Sequence, residues 1–230
     1  MKRILVDSMT FPQLADVAQE DSTAVQYFLM ENRGKYEKRI REKRPREALY
    51  FKPVEFVGSR GYTYSVVYYC HSYADFSRGG ICYILYATFQ YRGSTWLMFA
   101  TRRNSTLRTT GGYRYEYNYF CPHVFARYAE RELHDKYAIM TDAKSVYADF
   151  FKNNAILNTR EYTTEDKNTG FFAATMRGYL MGHAEDGIRV YDTYIDADGL
   201  TDAAKQGQRA GALNKLVEAY ALDDLTPRGR

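Results

Sequence analysis

Ile81-Cys82-Tyr83-Ile84-Leu85-Tyr86-Ala87-Thr88-Phe89-Gln90-Tyr91-Arg92-Gly93-Ser94-Thr95-Trp96-Leu97-Met98-Phe99-Ala100-Thr101-Arg102-Arg103 decides the fold class. It holds two runs rich in β-branched and aromatic residues, Ile81–Tyr91 and Thr95–Arg103, around Arg92-Gly93-Ser94. Two such runs joined by a short glycine-containing loop read as a β-hairpin, so neighbouring strands run antiparallel.

The same period of two extends on both sides. Upstream, Tyr62–Tyr73 reads as a strand and Gly79-Gly80 as a turn. Downstream, Asn104–Gly112 reads as a polar loop. In Tyr113–Tyr119 the alternation is unbroken: Tyr113, Tyr115, Tyr117 and Tyr119 share one face, and Arg114, Glu116 and Asn118 share the other. A later hairpin is expected from Phe171–His183 and Ile188–Ile195 around Ala184-Glu185-Asp186-Gly187, with Asn158–Gly170 as loop before it.

Helical spacing marks the rest. Thr10 and Pro12 open a first helix, and Asp21 or Ser22 caps a second with Ala24, Val25, Phe28 and Leu29 on one face. Pro45 and Pro53 stop the helical pattern. A central pair is expected from Pro122 to about Tyr137 and from Thr141 or Asp142 to Asn153. Leu200–Leu222 is the last, with Asp196 or Asp198 as its cap and small residues where it would approach a sheet. Strands and helices do not alternate as βαβ units. The expectation is an α+β fold: a mostly antiparallel sheet built from hairpins, with the N-terminal helices, the central pair and the C-terminal helix packed on it. Residues 1–50 form a helical, basic extension, 51–222 the body and 223–230 a frayed tail.

Length and composition exclude several classes. A chain of 230 residues with 45% apolar and 26% charged residues buries a core without metal or disulfide. No run approaches the ~18 apolar residues of a membrane span, and the run at Ile4-Leu5-Val6 is too short for a signal peptide. Three cysteines, Cys70, Cys82 and Cys121, without a C-x-x-C, fit a reduced, cytoplasmic setting. No cofactor is expected. No metal is expected either, because His123 and His134 lie about 16 Å apart along one helix and there is no H-E-x-x-H. Cys70-His71 are neighbours in a strand and point to opposite faces, which sets them aside as a catalytic pair.

Three groups carry candidate chemistry. The segment Arg33–Glu47 has eight basic residues against three acidic, a local charge of +5 where the whole chain carries +4. Lys38, Arg39, Arg41 and Arg44 are its candidate phosphate contacts. The tyrosines, 23 against one tryptophan, suit half-buried sheet surface; the Tyr113–Tyr119 face is read as core, since an exposed ladder invites aggregation, and in the alternative Tyr115 and Tyr117 are the candidates for stacking bases. In the helix after Pro122, His123, Arg127, Glu130, Arg131 and His134 fall within an arc of about 100°. The plain reading of that arc is a solvated face with Glu130 pairing to its neighbours. The functional reading is an anion site: His123 as general base in the first turn, Arg127 and Arg131 on a phosphate, His134 as a distant acid. The last hairpin gives a second polar group. An even-numbered loop puts Arg177 and His183 on the same face as Asp192 and Tyr194.

The expected function is nucleic-acid interaction, in its enzymatic form a metal-independent ribonuclease-like phosphodiesterase. The alternative is a non-enzymatic structural or interaction subunit of a phage particle or other assembly. The partner is thus a nucleic acid or an assembly protein, and not a membrane.

Overall fold

The computed structural model describes residues 5–102, 115–163 and 169–196. The expected loop at 104–112, the first rung of the tyrosine ladder at Tyr113, the C-terminal helix at 200–222 and the tail at 223–230 lie outside the described residues. The chain divides into two compact units, Met1–Phe120 with Glu185–Ile188, and Cys121–Ala184 with Arg189–Arg230.

The first unit opens with α1 (Phe11–Glu20) and α2 (Ser22–Lys43). Gln13 accepts from the Thr10 N–H at 2.9 Å and Pro12 sits in the first turn, so the start of α1 follows its sequence signals. Arg44 takes a left-handed φ of 44° and ends α2 directly before Pro45. Then come β1 (Leu49–Tyr50), β2 (Val54–Val57), β3 (Thr63–Cys70), the short α3 (Tyr73–Gly79), β4 (Cys82–Tyr91), β5 (Ser94–Arg102) and β6 (Tyr115–Phe120). The strand expected to run to Tyr73 stops at Cys70, because the Ser72 hydroxyl accepts from the Asp75 N–H at 3.1 Å and starts α3.

The sheet order is β1-β3-β4-β5-β6, antiparallel throughout, and β2 also pairs with β3. Tyr91 pairs with Ser94, so the central hairpin turns on two residues, one fewer than expected. Arg92 and Gly93 have φ of 49° and 72°, the doubly left-handed geometry that matches the twist of a hairpin.

Tyrosine hydroxyls tie α1 and α2 to this sheet. Tyr62 donates to the Leu14 carbonyl at 3.0 Å, and Tyr68 to the Leu29 carbonyl at 2.8 Å. Tyr91 donates to the Met9 carbonyl, just ahead of α1, at 2.7 Å. Each ring fills the core while its hydroxyl finds a backbone acceptor. The helices of the basic N-terminal stretch thus pack into this unit's core. At the α1–α2 junction Asp21 is 4% exposed. It accepts from Ser59 at 3.2 Å and from Tyr64 at 3.4 Å.

The second unit holds α4 (Pro122–Arg131), the single turn α5 (Ala138–Thr141), α6 (Ala143–Asn153), β7 (Ile156–Thr163), β8 (Thr169–Thr175), β9 (Gly178–Glu185) and β10 (Ile188–Asp196). Its strands lie in the order β10-β9-β8-β7. The expected loop at Asn158–Gly170 is therefore largely strand. β7 is polar because it lies at the end of this run of strands, where apolar alternation is not required. The long strand expected at Phe171–His183 breaks at Met176-Arg177, where the Thr175 hydroxyl accepts from the Gly178 N–H at 3.0 Å. The α4 and α6 helices meet the sheet through Tyr128, Phe150 and Tyr194, packed edge to face. Helices with antiparallel strands give the α+β class. Among the described residues no helix is long and apolar enough to cross a membrane.

Candidate functional site

The polar face of α4 is shorter than its sequence pattern. The helix ends at Arg131, and the Asp135 N–H closes on the Ala129 carbonyl at 3.0 Å with His134 at a left-handed φ of 52°. This is a helix-ending motif that normally recruits glycine or asparagine at the left-handed position. The shared arc therefore loses His134, which leaves the helix before it can join the other residues. Arg131 is also drawn off: it donates to the Tyr194 carbonyl at 3.1 Å and pairs with Asp196 at 3.3 Å. What remains together is His123, Arg127 and Glu130. Arg127 donates to His123 Nε2 at 3.2 Å and to Glu130 at 2.9 Å.

The tyrosine ladder turns inward. Tyr115 and Tyr117 are 9% and 7% exposed, and their hydroxyls meet Gln26 and Gln19 of the helices above. Alternation thus puts these two rings on the helix-covered face, as in the core reading of the ladder, and not on an open stacking platform. Burial holds the Tyr117 hydroxyl well above the ordinary tyrosine range, as do the neighbouring Tyr115 and Tyr62.

The basic half of α2 points outward. Lys38, Arg39, Arg41 and Arg44 are exposed, while Tyr36 and Ile40 anchor the helix. Three guanidiniums lie over aromatic rings: Arg39 on Phe51 at 5.1 Å, Arg41 on Phe76 at 5.5 Å and Arg44 on Tyr73 at 5.7 Å. Glu37 bridges Arg33 and Arg41 and removes part of the local charge.

The last hairpin brings His183 and Asp192 together, Nδ1 to Oδ2 at 2.8 Å, with both side chains nearly half exposed. The turn between β9 and β10 is Asp186-Gly187, so the even-numbered loop holds and these residues share a face. The other two members of the expected group take no part in that pair, although Tyr194 shares the strand face of Asp192. Arg177 sits in the exposed turn before β9. Tyr194 is fully buried and donates to Glu132 at 2.8 Å.

One residue of this region has no role in the sequence reading. Cys121 precedes α4 at the N-cap position, and its thiol donates to the Asp192 carbonyl at 2.9 Å. Burial pushes the thiol up, and the Val124 and His123 N–H groups of the first helical turn oppose that. The signal for it is Cys121-Pro122, a cysteine directly before the proline that opens a helix. Among the described residues no group of three or more His, Cys, Asp or Glu side chains is placed to hold a metal ion. Comparison with protein-family models, curated proteins and solved structures found no match.

Proposed function

We propose that this chain binds nucleic acid through the C-terminal half of α2, with Lys38, Arg39, Arg41 and Arg44 on backbone phosphates. One observation carries the reading: three exposed arginines rest on the faces of Phe51, Phe76 and Tyr73. A long cationic side chain loses rotamer freedom when it binds a phosphate. An arginine already laid on a ring has given up part of that freedom, and its guanidinium edge still points to solvent. Binding without cleavage is the form we carry forward. Cleavage through His123 needs a second group to protonate the leaving oxygen, and His134 and Arg131 are held away from it.

An assembly subunit is the rival reading. It draws on Tyr27 and Met30, which leave α2 on one side at 66% and 69% exposure. Fluorescence anisotropy with single-stranded and duplex oligonucleotides, followed across salt concentration, separates the two. Changing the four cations to glutamine should lower the log–log salt slope by roughly 0.7–0.9 for every phosphate no longer neutralised. An unchanged slope and affinity, with light scattering showing an assembly that breaks up when Tyr27 and Met30 are changed to serine, selects the rival.

A further inference from the structure

At the β1 edge of the first unit, a row of aromatic rings lies on one face of the sheet and cations lie on the other. Tyr36 of α2 packs on Phe51 and Tyr68 at 4.8 and 4.7 Å between centroids, so those two rings face the helix. Tyr50 and Tyr69 are directly opposed in the β1–β3 pair, and alternation turns them to the other face. The two rings stack at 5.0 Å, only 7° from parallel. His71 meets Tyr69 edge to face at 5.3 Å. Cys82 of β4 stands opposite Tyr69 on the inner side, and Tyr50 is the outer member, on the last strand of the sheet order. Tyr50 and Tyr69 are half-buried and His71 is exposed. The cations reach the same edge through adjoining residues. Arg39 lies over Phe51, next in sequence to Tyr50, and Arg44 lies over Tyr73, two residues after His71. Arg46 and Lys52, both exposed, flank β1, with Glu47 as the acid beside them. Asp75, the acid beside His71, accepts from Arg78 and from Ser72, each at 2.6 Å.

We propose that the nucleic acid held by α2 is single-stranded and that its bases stack on Tyr50, Tyr69 and His71. This rests on α2 holding phosphates, as proposed above, and adds the class of strand and the rings that meet it. A ring takes a base by its face, and inside a duplex both faces of every base are covered by its neighbours. A duplex is also too stiff to turn about the edge of a sheet, with a persistence length of about 150 base pairs. A single strand makes that turn within a few nucleotides. It leaves its phosphates on Arg39 and Arg44, passes the two-residue strand β1 beside Lys52, and lays its bases on the face turned away from α2. Stacking is tolerant of base identity, so the preference set here is for single strands over duplex and not for a sequence.

The experiment uses the full chain and labelled probes of about 16 nucleotides: oligothymidine, oligouridine, a duplex, and an abasic strand that keeps the phosphates. By fluorescence anisotropy the better of the thymidine and uridine strands, which also assigns the sugar, should bind about 5–150-fold more tightly than the abasic strand for each base stacked. It should also bind more tightly than the duplex. Tyr50→Leu should shrink the margin over the abasic strand and leave the abasic affinity in place, and Tyr50→Phe should keep the margin. Ultraviolet crosslinking of a 5-iodouridine strand to the unaltered chain, read by mass spectrometry, needs no variant to fold and should mark Tyr50, Tyr69 or His71. Equal affinity for abasic and base-bearing strands, duplex bound as tightly as single strand, or crosslinks confined to other residues overturns the proposal and leaves the phosphate reading of α2 standing. Failure of all four probes to bind overturns both.

Discussion

Asp21 shows how one buried carboxylate ties stability to pH. Burial raises its pKa, and its bonds from Ser59 and Tyr64 and the charge of Arg60 only partly offset that. Gly58 is part of the same arrangement, since a β-carbon there would run into the Asp21 carboxylate. With the folded value above the unfolded one, Asp21's contribution is whole below the ordinary carboxylate range. It is lost as pH rises through the folded value, because the unfolded chain ionises first. Asp21→Asn should therefore flatten the fall in stability above about pH 4 and stabilise the protein at neutral pH. Urea unfolding at successive pH values measures this, and an unchanged pH dependence in the variant rules it out. From local spacing Asp21 reads only as a helix cap. Its burial depends on residues 58–64, whose approach no local pattern announces.

At the level of elements, the hairpins carry the most legible information and also the errors. The β4–β5 pair is readable because both strands are apolar on the covered face and the turn contains glycine. β7 escapes the pattern because Thr159 and Glu161 pair through their backbone without apolar alternation. The early end of α4 escapes it because His134 is a non-glycine residue in a left-handed position, which spacing does not reveal. Gly182 marks a constraint of the last hairpin: a β-carbon there would collide with the Val190 carbonyl. Gly182→Ala should destabilise by about 1–3 kcal/mol and loosen the neighbouring His183–Asp192 pair. Thermal melts give the first quantity, and the pH titration of the His183 ring by NMR gives the second. Beneath α2, Tyr68→Phe removes one buried hydroxyl donor and should cost about 1 kcal/mol in denaturant unfolding, with little change in packing volume. A loss near zero would mean that the Leu29 carbonyl does not need its second partner.

Across the whole chain, tyrosine is the defining residue, and its titration gives a collective prediction. Burial pushes the Tyr68 hydroxyl up to about 12, with Tyr36 and Tyr83 adding to it. Tyr62, Tyr64, Tyr128 and Tyr194 are held higher still, and Tyr119 well above its ordinary range, burial first in each. An unfolded tyrosine ionises near about 10. Below that the buried rings contribute fully, and above it the unfolded chain ionises first and the fold loses stability toward the folded values. The ultraviolet band of tyrosinate should thus appear in two parts: the exposed rings gradually near about pH 10, then the buried ones in a step that coincides with loss of circular dichroism. A single smooth titration with the dichroism intact would contradict this burial. The hydroxyls of Tyr62 and Tyr68 have a spectroscopic corollary. The carbonyls of Leu14 and Leu29 each belong to a helix and also receive a phenol proton, so they vibrate at lower frequency than carbonyls with one donor. An isotope-edited infrared label at the Leu29 carbonyl would then report, through a single bond stretch, whether α2 is seated on its sheet.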